Sequence, residues 1–407
     1  MSLSPDFTLL QVVPELETGG AERTTIDVAA AVVRAGGRAL VASRGGRMAE
    51  ELAAVGGELI ALPVHSKNPL TMAANAARLA DVVRNERVRL VHARSRAPAF
   101  SALWAARHAR VPIVATYHGV YNARSGLKRW WNAVMTRGDV VIANSAYTRA
   151  HVIAEHGVDP DKVIAIPRGV DLARFSPEAV SDERVRALRD AWGIEPEERR
   201  AVVLLAGRLT RWKGQLLLLE AARRLRAEGR ADFLLVLAGD HQGRGDYRAE
   251  VERAIGEGGL TGMARVVGHC ADMPAAYLAA DLAAAPSLEP EAFGRTAVEP
   301  QAMARPVLAA AHGGAVETVA DGETGWLVPP GNAAAWAAAL AGALDAGSER
   351  RAEMGRAGRA RVERLFSVEA MTAATLGVYA QVLASRSQDA SFSGGVERSG
   401  TQTREPS

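Results

Sequence analysis

Cysteine is nearly absent from this sequence of 407 residues, which contains only Cys270. A single cysteine excludes an internal disulfide and a zinc site built from cysteine thiolates. Such sparing use of cysteine is typical of proteins in a reducing compartment. We therefore expect a cytoplasmic protein.

Long hydrophobic runs are absent as well. The alanine-rich stretch from Asn332 to Leu344 is well short of the roughly 20 apolar residues that span a bilayer. The first residues lack the basic stretch followed by an apolar run that a secretory signal needs. We expect neither a membrane span nor an export signal.

Charge of one sign does not dominate either. The sequence has 49 Lys and Arg against 46 Asp and Glu, a net charge of +3, and no continuous basic stripe. The electrostatic footprint of a nucleic-acid-binding protein is therefore missing, and we expect no nucleic-acid partner. With 48% hydrophobic and 23% charged residues, the composition is that of a globular protein, and the length favours two domains.

Short apolar runs alternate with helix-patterned segments along the whole chain, which is typical of parallel sheets with helices on both faces. Two series of strands are predicted, before and after an interruption at Pro167-Arg-Gly-Val-Asp171. The first series is Leu9–Val13, Arg38–Ala42, Leu59–Leu62, Leu90–Ala93, Ile113–Thr116, Val140–Ala143 and Val163–Ile166. The second is Ala201–Ala206, Phe233–Ala238, Arg265–Val267, Leu282–Ala285 and Val307–Ala310.

This alternation predicts an α/β protein with two doubly wound, Rossmann-like domains, at residues 1–167 and 168–367. A helix at 368–384 ends the folded part. Residues 385–407 are rich in Ser, Gly and Thr with almost no apolar side chains, so we expect a disordered tail.

Ligands of parallel sheets bind beyond the carboxyl ends of the strands. After the first strand of the second domain come Arg208 and Lys213, which favour an anion. The segment from Glu291 to Glu299 contains a glycine turn into a helix, whose free N–H groups favour phosphate. Carboxylates accept hydrogen bonds from sugar hydroxyls, so these two glutamates predict a site for a phosphate attached to sugars.

Two motifs make a resemblance specific: Gly-Arg-Leu-x-x-x-Lys-Gly at 207–214 and Glu-x-Phe-Gly-x-x-x-x-Glu at 291–299. In this order they resemble the retaining glycosyltransferases of family 4, which have the GT-B fold of two Rossmann-like domains facing each other across a cleft. The resemblance covers about residues 7–384. It implies that 1–167 is the acceptor-side domain, that 168–367 binds the nucleotide-sugar donor, and that the terminal helix at 368–384 returns to the first domain. Supporting pieces are Gly19-Gly20, His118, the Pro-x-Gly-Val-Asp segment at 167–171 and Asp-Gly-x-x-Gly-Trp-Leu-Val at 321–328.

The resemblance implies roles for particular residues. Arg208 and Lys213 would clamp the donor diphosphate as catalytic residues, and Glu291 would contact the donor sugar. The remaining implied positions are His118 beside the donor sugar, Glu299 on the ribose, the backbone of Phe293, Gly294, Arg295 and Thr296 around sugar and phosphate, and the Gly19-Gly20 loop near the diphosphate.

The activity that the resemblance implies is sugar transfer from a nucleotide-diphosphate donor to a hydroxyl acceptor, with retention at the anomeric carbon. The expected acceptor is a cell-surface glycan or a lipid-linked precursor, as in lipopolysaccharide synthesis. We expect no metal ion and no cofactor besides the donor substrate. The alternatives are a nucleotide-sugar epimerase on the same fold and a catalytically silent nucleotide-sugar-binding subunit.

Two features leave alternatives open. Leu127, Trp130, Trp131 and Val134 recur at helical spacing, which favours a helix packed into a core. The basic residues around them, Arg124, Lys128, Arg129 and Arg137, would instead suit a helix resting on anionic lipid at the inner face of a membrane or binding a lipid-linked acceptor. Arg168 stands where the family commonly has Asn, and either donor phosphate or an acidic neighbour could be its partner.

Overall fold

The computed structural model describes residues 6–17, 19–121, 125–241, 243 and 245–395. Within these residues the chain forms two compact units. Unit 1 comprises residues 6–144, 148–166 and 371–395, and unit 2 comprises residues 145–147 and 167–370.

Unit 1 is built on a seven-stranded sheet in which neighbouring strands pair in parallel. Its strands are Thr8–Val12 (β1), Arg38–Ser43 (β2), Glu58–Ala61 (β3), Leu90–Ala93 (β4), Ile113–Tyr117 (β5), Val140–Ala143 (β6) and Val163–Ala165 (β7). The strand order β3-β2-β1-β4-β5-β6-β7 reverses direction between β1 and β4. A ligand site is expected beyond the carboxyl ends at such a reversal.

Helices cover both faces of this sheet, which explains why its strands are nearly continuous apolar runs. The helices that precede residue 167 are Gly20–Arg34 (α1), Ala49–Ala54 (α2), Pro69–Asn85 (α3), Arg96–Ala109 (α4), Gly126–Asn132 (α5) and Ala146–His156 (α6). Leu10 packs on one face with Leu79 of α3, and Leu9 packs on the other with Ile26 of α1. The terminal helix Val368–Gly395 (α15) adds Tyr379 to that second face.

Unit 2 repeats the plan with six strands in parallel pairs. They are Ala201–Ala206 (β8), Phe233–Ala238 (β9), Ala264–Gly268 (β10), Leu282–Ala285 (β11), Val307–Ala310 (β12) and Gly325–Val328 (β13). The order β10-β9-β8-β11-β12-β13 reverses between β8 and β11. Its helices are Asp182–Ala191 (α7), Gln215–Ala227 (α8), Gly245–Glu257 (α9), Met273–Leu278 (α10), Arg295–Ala302 (α11), Ala315–Thr318 (α12), Ala333–Asp345 (α13) and Gly347–Leu365 (α14).

All twelve predicted strands are present within one or two residues of their predicted ends. The sequence analysis did not predict β13, which begins at a glycine, lies at the edge of the sheet and pairs with β12. This strand also explains Gly325, because a Cβ there would lie 2.2 Å from the Val307 carbonyl oxygen. Among the described helices, none combines the length and the apolar character that crossing a membrane would require.

The terminal helix is longer than predicted. It continues past residue 384 to Gly395. The disorder expected for residues 385–407 stays a prediction, and residues 396–407 lie outside the described part. Ser385 Oγ donates to the Gln381 carbonyl at 3.0 Å, and Arg386 pairs with Asp139 at 2.7 Å.

The predicted core helix around Trp130 is also corrected. Leu127 is 76% exposed and Trp130 is 49% exposed, whereas Val134 is buried. Helix α5 ends at Asn132, and a 3-10 turn follows at Ala133–Thr136, so one helical stripe does not extend from Leu127 to Val134. Arg124 lies outside the described residues.

Candidate active site

The loop after β8 lies at the strand-order reversal of unit 2 and carries two of the predicted cations. A 3-10 turn, Arg211–Lys213, leads through Gly214 into α8. Gly214 has φ +78°, and a Cβ there would lie 2.0 Å from the Pro286 carbonyl oxygen. Only glycine combines that backbone conformation with so close an approach. The loops after β8 and β11 are therefore packed directly together.

This packing joins Lys213 to Glu291. The Lys213 Nζ donates to Glu291 Oε1 at 2.7 Å, and the two side chains are only 10% and 17% exposed. Ser287 Oγ donates to the same carboxylate oxygen at 2.5 Å. An ammonium group carries three N–H donors, so Lys213 retains two for a ligand.

Two further glycines, Gly313 and Gly314, shape the loop that carries Glu291. Gly313 has φ +59°, and a Cβ there would lie 2.5 Å from the Glu291 carbonyl oxygen. The N–H of Gly314 donates to that same carbonyl at 2.7 Å. His312 contacts the Ser287 carbonyl through Nε2 at 2.8 Å. The His-Gly-Gly segment after β12 thus fixes both Ser287 and Glu291.

Helix α11 begins beside this carboxylate. Gly294 caps it in the left-handed conformation, φ +86°, and the first N–H groups of a helix have no carbonyl partner within it. Glu291, Gly294, Thr296 and His312 line one recess. The Phe293 side chain is buried, with its ring 5.9 Å from that of Phe366, so only its backbone is available to a ligand.

Glu299 lies one turn further along α11 and has partners for both oxygens. Arg295 pairs with Oε1 at 3.0 Å, and the Tyr277 hydroxyl donates to Oε2 at 3.2 Å. Burial, together with the negative charge of Glu299, raises the pKa of Tyr277 well above its ordinary value. Tyr277 therefore remains a neutral donor that orients the carboxylate.

Arg208 differs from Lys213 in being exposed. Its guanidinium carbon lies 6.0 Å from the centre of the Trp212 ring, and within the described part of the chain it makes no ion pair. By contrast, Arg211 in the same loop pairs with Glu250 at 2.5 Å. The charge of Arg208 is therefore available to an anionic ligand.

The predicted residues of the first domain lie in unit 1. Gly19 has extended backbone and precedes α1, which Gly20 begins. His118 follows β5 directly, is half-buried, and its carbonyl accepts from Asn144 Nδ2 at 3.0 Å. These positions follow the carboxyl ends of β1 and β5, which is where ligands of parallel sheets bind.

In unit 2 the structure brings together Lys213, Glu291, Gly294 and Thr296, and it places Arg295 with Glu299. Sequence reasoning missed Ser287 and Tyr277. Ser287 lies two residues after β11, so it could have been predicted from the position of ligand sites beyond the carboxyl ends of strands. Tyr277 comes close to Glu299 only in the folded structure. Arg168 is half-buried. Within the described residues, no group of three or more His, Cys, Asp or Glu side chains could hold a metal ion.

Comparison with known proteins matches both halves of the chain. Residues 18–174 match the model of glycosyltransferase family 4, and residues 189–361 match that of glycosyl transferases group 1. A D-inositol 3-phosphate glycosyltransferase of Xylanimonas cellulosilytica is 36% identical over 256 residues, which are 61% of this chain and 58% of that relative. The chain thus spans less than two thirds of the length of the curated relatives it matches.

Solved structures match nearly the whole chain. A glycosyltransferase from Rickettsia africae is 33% identical with a TM-score of 0.84, covering 93% of this chain and 98% of that one. Anabaena HepE, solved in complex with UDP-glucose, is 26% identical with a TM-score of 0.74, covering 91% and 99%. With two parallel-sheet domains, family matches in both halves and a relative matched over almost its full length, the chain belongs to glycosyltransferase family 4 and has the GT-B fold.

Proposed function

We propose that this chain is a retaining glycosyltransferase that moves a sugar from a UDP-type donor to a hydroxyl acceptor. The observation that carries the proposal is the buried pair of Lys213 and Glu291, held by Ser287 at the strand-order reversal of unit 2. Burying two charges costs desolvation free energy that their mutual attraction does not always repay, which favours a functional role for the pair. The pair lies beside the start of α11, which favours phosphate.

The diphosphate would bind to the cations. Arg208 and the two remaining N–H groups of Lys213 supply positive charge, and the backbone of Gly294, Arg295 and Thr296 supplies N–H donors. Such fixed charges stabilise the negative charge that develops on the leaving nucleotide. A divalent ion is then unnecessary, so we expect the enzyme to be metal-independent. UDP is favoured because HepE, a relative, was solved with UDP-glucose.

The two glutamates would hold the sugars. Both bonds to Glu291 end on Oε1, and within the described residues Oε2 has no hydrogen-bond donor, so this oxygen would accept from a hydroxyl of the transferred sugar. Glu299, oriented by Tyr277 and Arg295, would accept from the ribose. The roles that the resemblance implies for Gly19, Gly20 and His118 remain predictions.

Retention follows if the acceptor attacks the face that the nucleotide leaves. The bond from the anomeric carbon to the diphosphate breaks, the acceptor oxygen forms the new bond, and its proton passes to the departing diphosphate. No protein nucleophile takes part in this scheme. The charge of Glu291 beside the sugar would stabilise the positive character of the anomeric carbon.

For the acceptor we propose a chemical class. Curated relatives are named for D-inositol 3-phosphate, which makes a phosphate-bearing acceptor the better-supported choice. A cell-surface glycan or its lipid-linked precursor is compatible with a phosphate-bearing acceptor if the molecule that carries the glycan bears a phosphate.

The test is UDP release from a panel of UDP-, GDP- and ADP-sugars, with and without EDTA. We expect activity with a UDP-sugar that survives EDTA, and a product with the donor's anomeric configuration by NMR. Arg208→Gln should lower kcat/KM by roughly tenfold or more, because it removes a charged contact. Arg211→Gln is the matched control and should leave turnover unchanged.

Several outcomes would contradict the proposal. Loss of activity in EDTA that Mn²⁺ restores would overturn metal independence. Conversion of the donor to an epimer without acceptor would indicate an epimerase, and nucleotide binding without any turnover would indicate a silent binding subunit.

A further inference from the structure

The backbone of the loop after β8 is fixed at three successive residues. The N–H groups of Gly207 and Leu209 donate to carbonyls at and just beyond the end of β9, at 2.8 and 3.0 Å. Between them, the Arg208 carbonyl accepts from Gln215 Nε2 at 2.9 Å. Hydrogen bonds therefore set the path of the chain on both sides of the Arg208 side chain.

The hydrogen bond to the Arg208 carbonyl comes from the interior of unit 2. Gln215, the first residue of α8, is fully buried, and its amide oxygen accepts from the Tyr247 hydroxyl of α9 at 3.1 Å. Tyr247 is itself only 6% exposed. Burying polar side chains costs free energy unless they are hydrogen-bonded, and apolar side chains of similar size would pack here without that cost. These two polar side chains thus do more than fill the core.

The direction of the hydrogen bonds follows from the groups that take part. A carbonyl oxygen only accepts, so the Gln215 amide nitrogen must face Arg208 and its oxygen must face Tyr247. Tyr247 is then the donor, which requires a neutral hydroxyl. Burial, together with the negative charge of Glu250, raises the pKa of Tyr247 to about 12, so the hydroxyl keeps its proton in neutral solution. One arrangement of donors and acceptors satisfies both side chains.

Arg211 shows a different way of placing an arginine in the same loop. Its guanidinium pairs with Glu250, three residues after Tyr247 on α9, at 2.5 Å. A carboxylate partner orients a guanidinium but also neutralises it. Arg208 has no such partner within the described residues, so its charge stays available, and its position depends on its backbone.

Support of this kind suits a cation that must meet a developing negative charge. Fixed charges stabilise a transition state best when they need no rearrangement during the reaction. Because the Arg208 side chain is exposed, a shift of its backbone would carry the guanidinium with it. Hydrogen bonds to the carbonyl limit that shift and leave the guanidinium N–H groups to a ligand.

We propose that Gln215 and Tyr247 are positioning residues, which hold the Arg208 backbone so that its guanidinium meets the donor diphosphate. This role rests on the proposed function, in which Arg208 binds that diphosphate. Neither side chain touches the ligand, since both act through the Arg208 carbonyl. Their effect on ligand binding should therefore vanish once the guanidinium is absent.

The experiment is titration of the full chain with UDP, inorganic pyrophosphate and uridine, by calorimetry for the first two and by ligand-detected NMR for uridine. Pyrophosphate has no base, so it tests the inference whichever nucleotide the donor carries. Uridine has no phosphate and reports the rest of the nucleotide site.

Two variants interrupt the hydrogen bonds at different points. Tyr247→Phe removes the hydroxyl and keeps the ring, whereas Gln215→Met removes the amide and keeps the length of the side chain. Each should weaken UDP and pyrophosphate by about threefold to tenfold, as expected for the loss of a neutral hydrogen bond. Uridine should bind within about twofold of the parent, because its contacts do not involve Arg208.

A double-mutant cycle with Arg208→Gln separates positioning from a general structural effect. Arg208→Gln alone should weaken pyrophosphate by about tenfold or more. In that background Tyr247→Phe should change the affinity by less than about twofold, because no guanidinium is left to position. The controls are Arg211→Gln and Tyr379→Phe, a buried tyrosine of unit 1 whose hydroxyl contacts His92 Nδ1 at 2.6 Å; both should bind all three probes as the parent does.

Three results would overturn the inference. Parent-like pyrophosphate affinity in both Tyr247→Phe and Gln215→Met, with a loss in Arg208→Gln, would show that the backbone needs no such support and would leave the proposed function standing. Equal losses from Tyr247→Phe with and without the Arg208 guanidinium would show a general loosening of unit 2. If Arg208→Gln binds pyrophosphate as the parent does, the proposed diphosphate contact fails, and the inference fails with it.

Discussion

Removal of the Lys213 charge should destabilise unit 2 unless the Glu291 charge is removed with it. Lys213→Met leaves a carboxylate that is 17% exposed with Ser287 as its hydrogen-bond donor. Breaking a buried pair in this way costs about 3–5 kcal/mol. Because water still reaches part of Glu291, we expect about 3 kcal/mol.

The double variant Lys213→Met/Glu291→Gln should lose less than Lys213→Met alone, because an amide needs no cation. The coupling energy of the pair should therefore be about 2 kcal/mol. Arg211 and Glu250 provide a matched control in the same loop. Their side chains are 71% and 32% exposed, so their coupling should be at most about 0.5–1 kcal/mol.

Hydrogen exchange of peptides from β8 and β11 is the assay, since it reports the opening of unit 2 separately from unit 1. Each cycle needs the parent, two single variants and the double variant. A Lys213–Glu291 coupling no larger than that of Arg211–Glu250 would refute the reasoning that this pair is a buried, mutually dependent feature.

Two further predictions concern stability. Gly214→Ala should destabilise unit 2 by more than about 2 kcal/mol, because the added Cβ meets the Pro286 carbonyl, whereas Gly229→Ala, at φ +88° with no atom within 4 Å, should cost only about 1 kcal/mol. Hydrogen exchange measures both losses, and equal losses would contradict the explanation. Burial holds the pKa of His92 well below 6.5, so in acid the unfolded chain binds more protons than the folded chain. Unit 1 should therefore lose stability as the pH falls below about 6.5, and this group contributes up to about 1.4 kcal/mol per pH unit. His92→Gln should flatten that slope in urea titrations from pH 7 to pH 5, leaving the part due to His156, whose pKa burial also lowers; an unchanged slope would be inconsistent with the assignment.

The sheets were predictable because parallel strands buried on both faces are short apolar runs that need no partner information. The loops that carry Arg208, Lys213 and Glu291 were predictable for the same reason: strand ends locate the edge at which ligands bind. β13 escaped because an edge strand that begins with glycine lacks that run.

Other features depend on the fold itself. The Tyr277 hydroxyl reaches Glu299 from α10, and no spacing in the sequence relates a tyrosine to a carboxylate 22 residues away. Helical spacing correctly grouped Leu127 with Trp130, but it could not say whether their shared face meets a core or solvent. Composition alone likewise does not show that Arg386 pairs with Asp139.

The most direct test of the central claim is steady-state UDP release by Glu291→Gln and Glu299→Gln, with donor varied at saturating acceptor and melting temperatures matched to the parent. Ribose contacts change little between the ground and transition states, so Glu299→Gln should raise the donor KM by about ten- to hundredfold with little change in kcat. Glu291→Gln should instead lower kcat by about ten- to hundredfold, because its sugar gains positive character as the nucleotide leaves. Kinetics close to the parent in both variants would contradict the account.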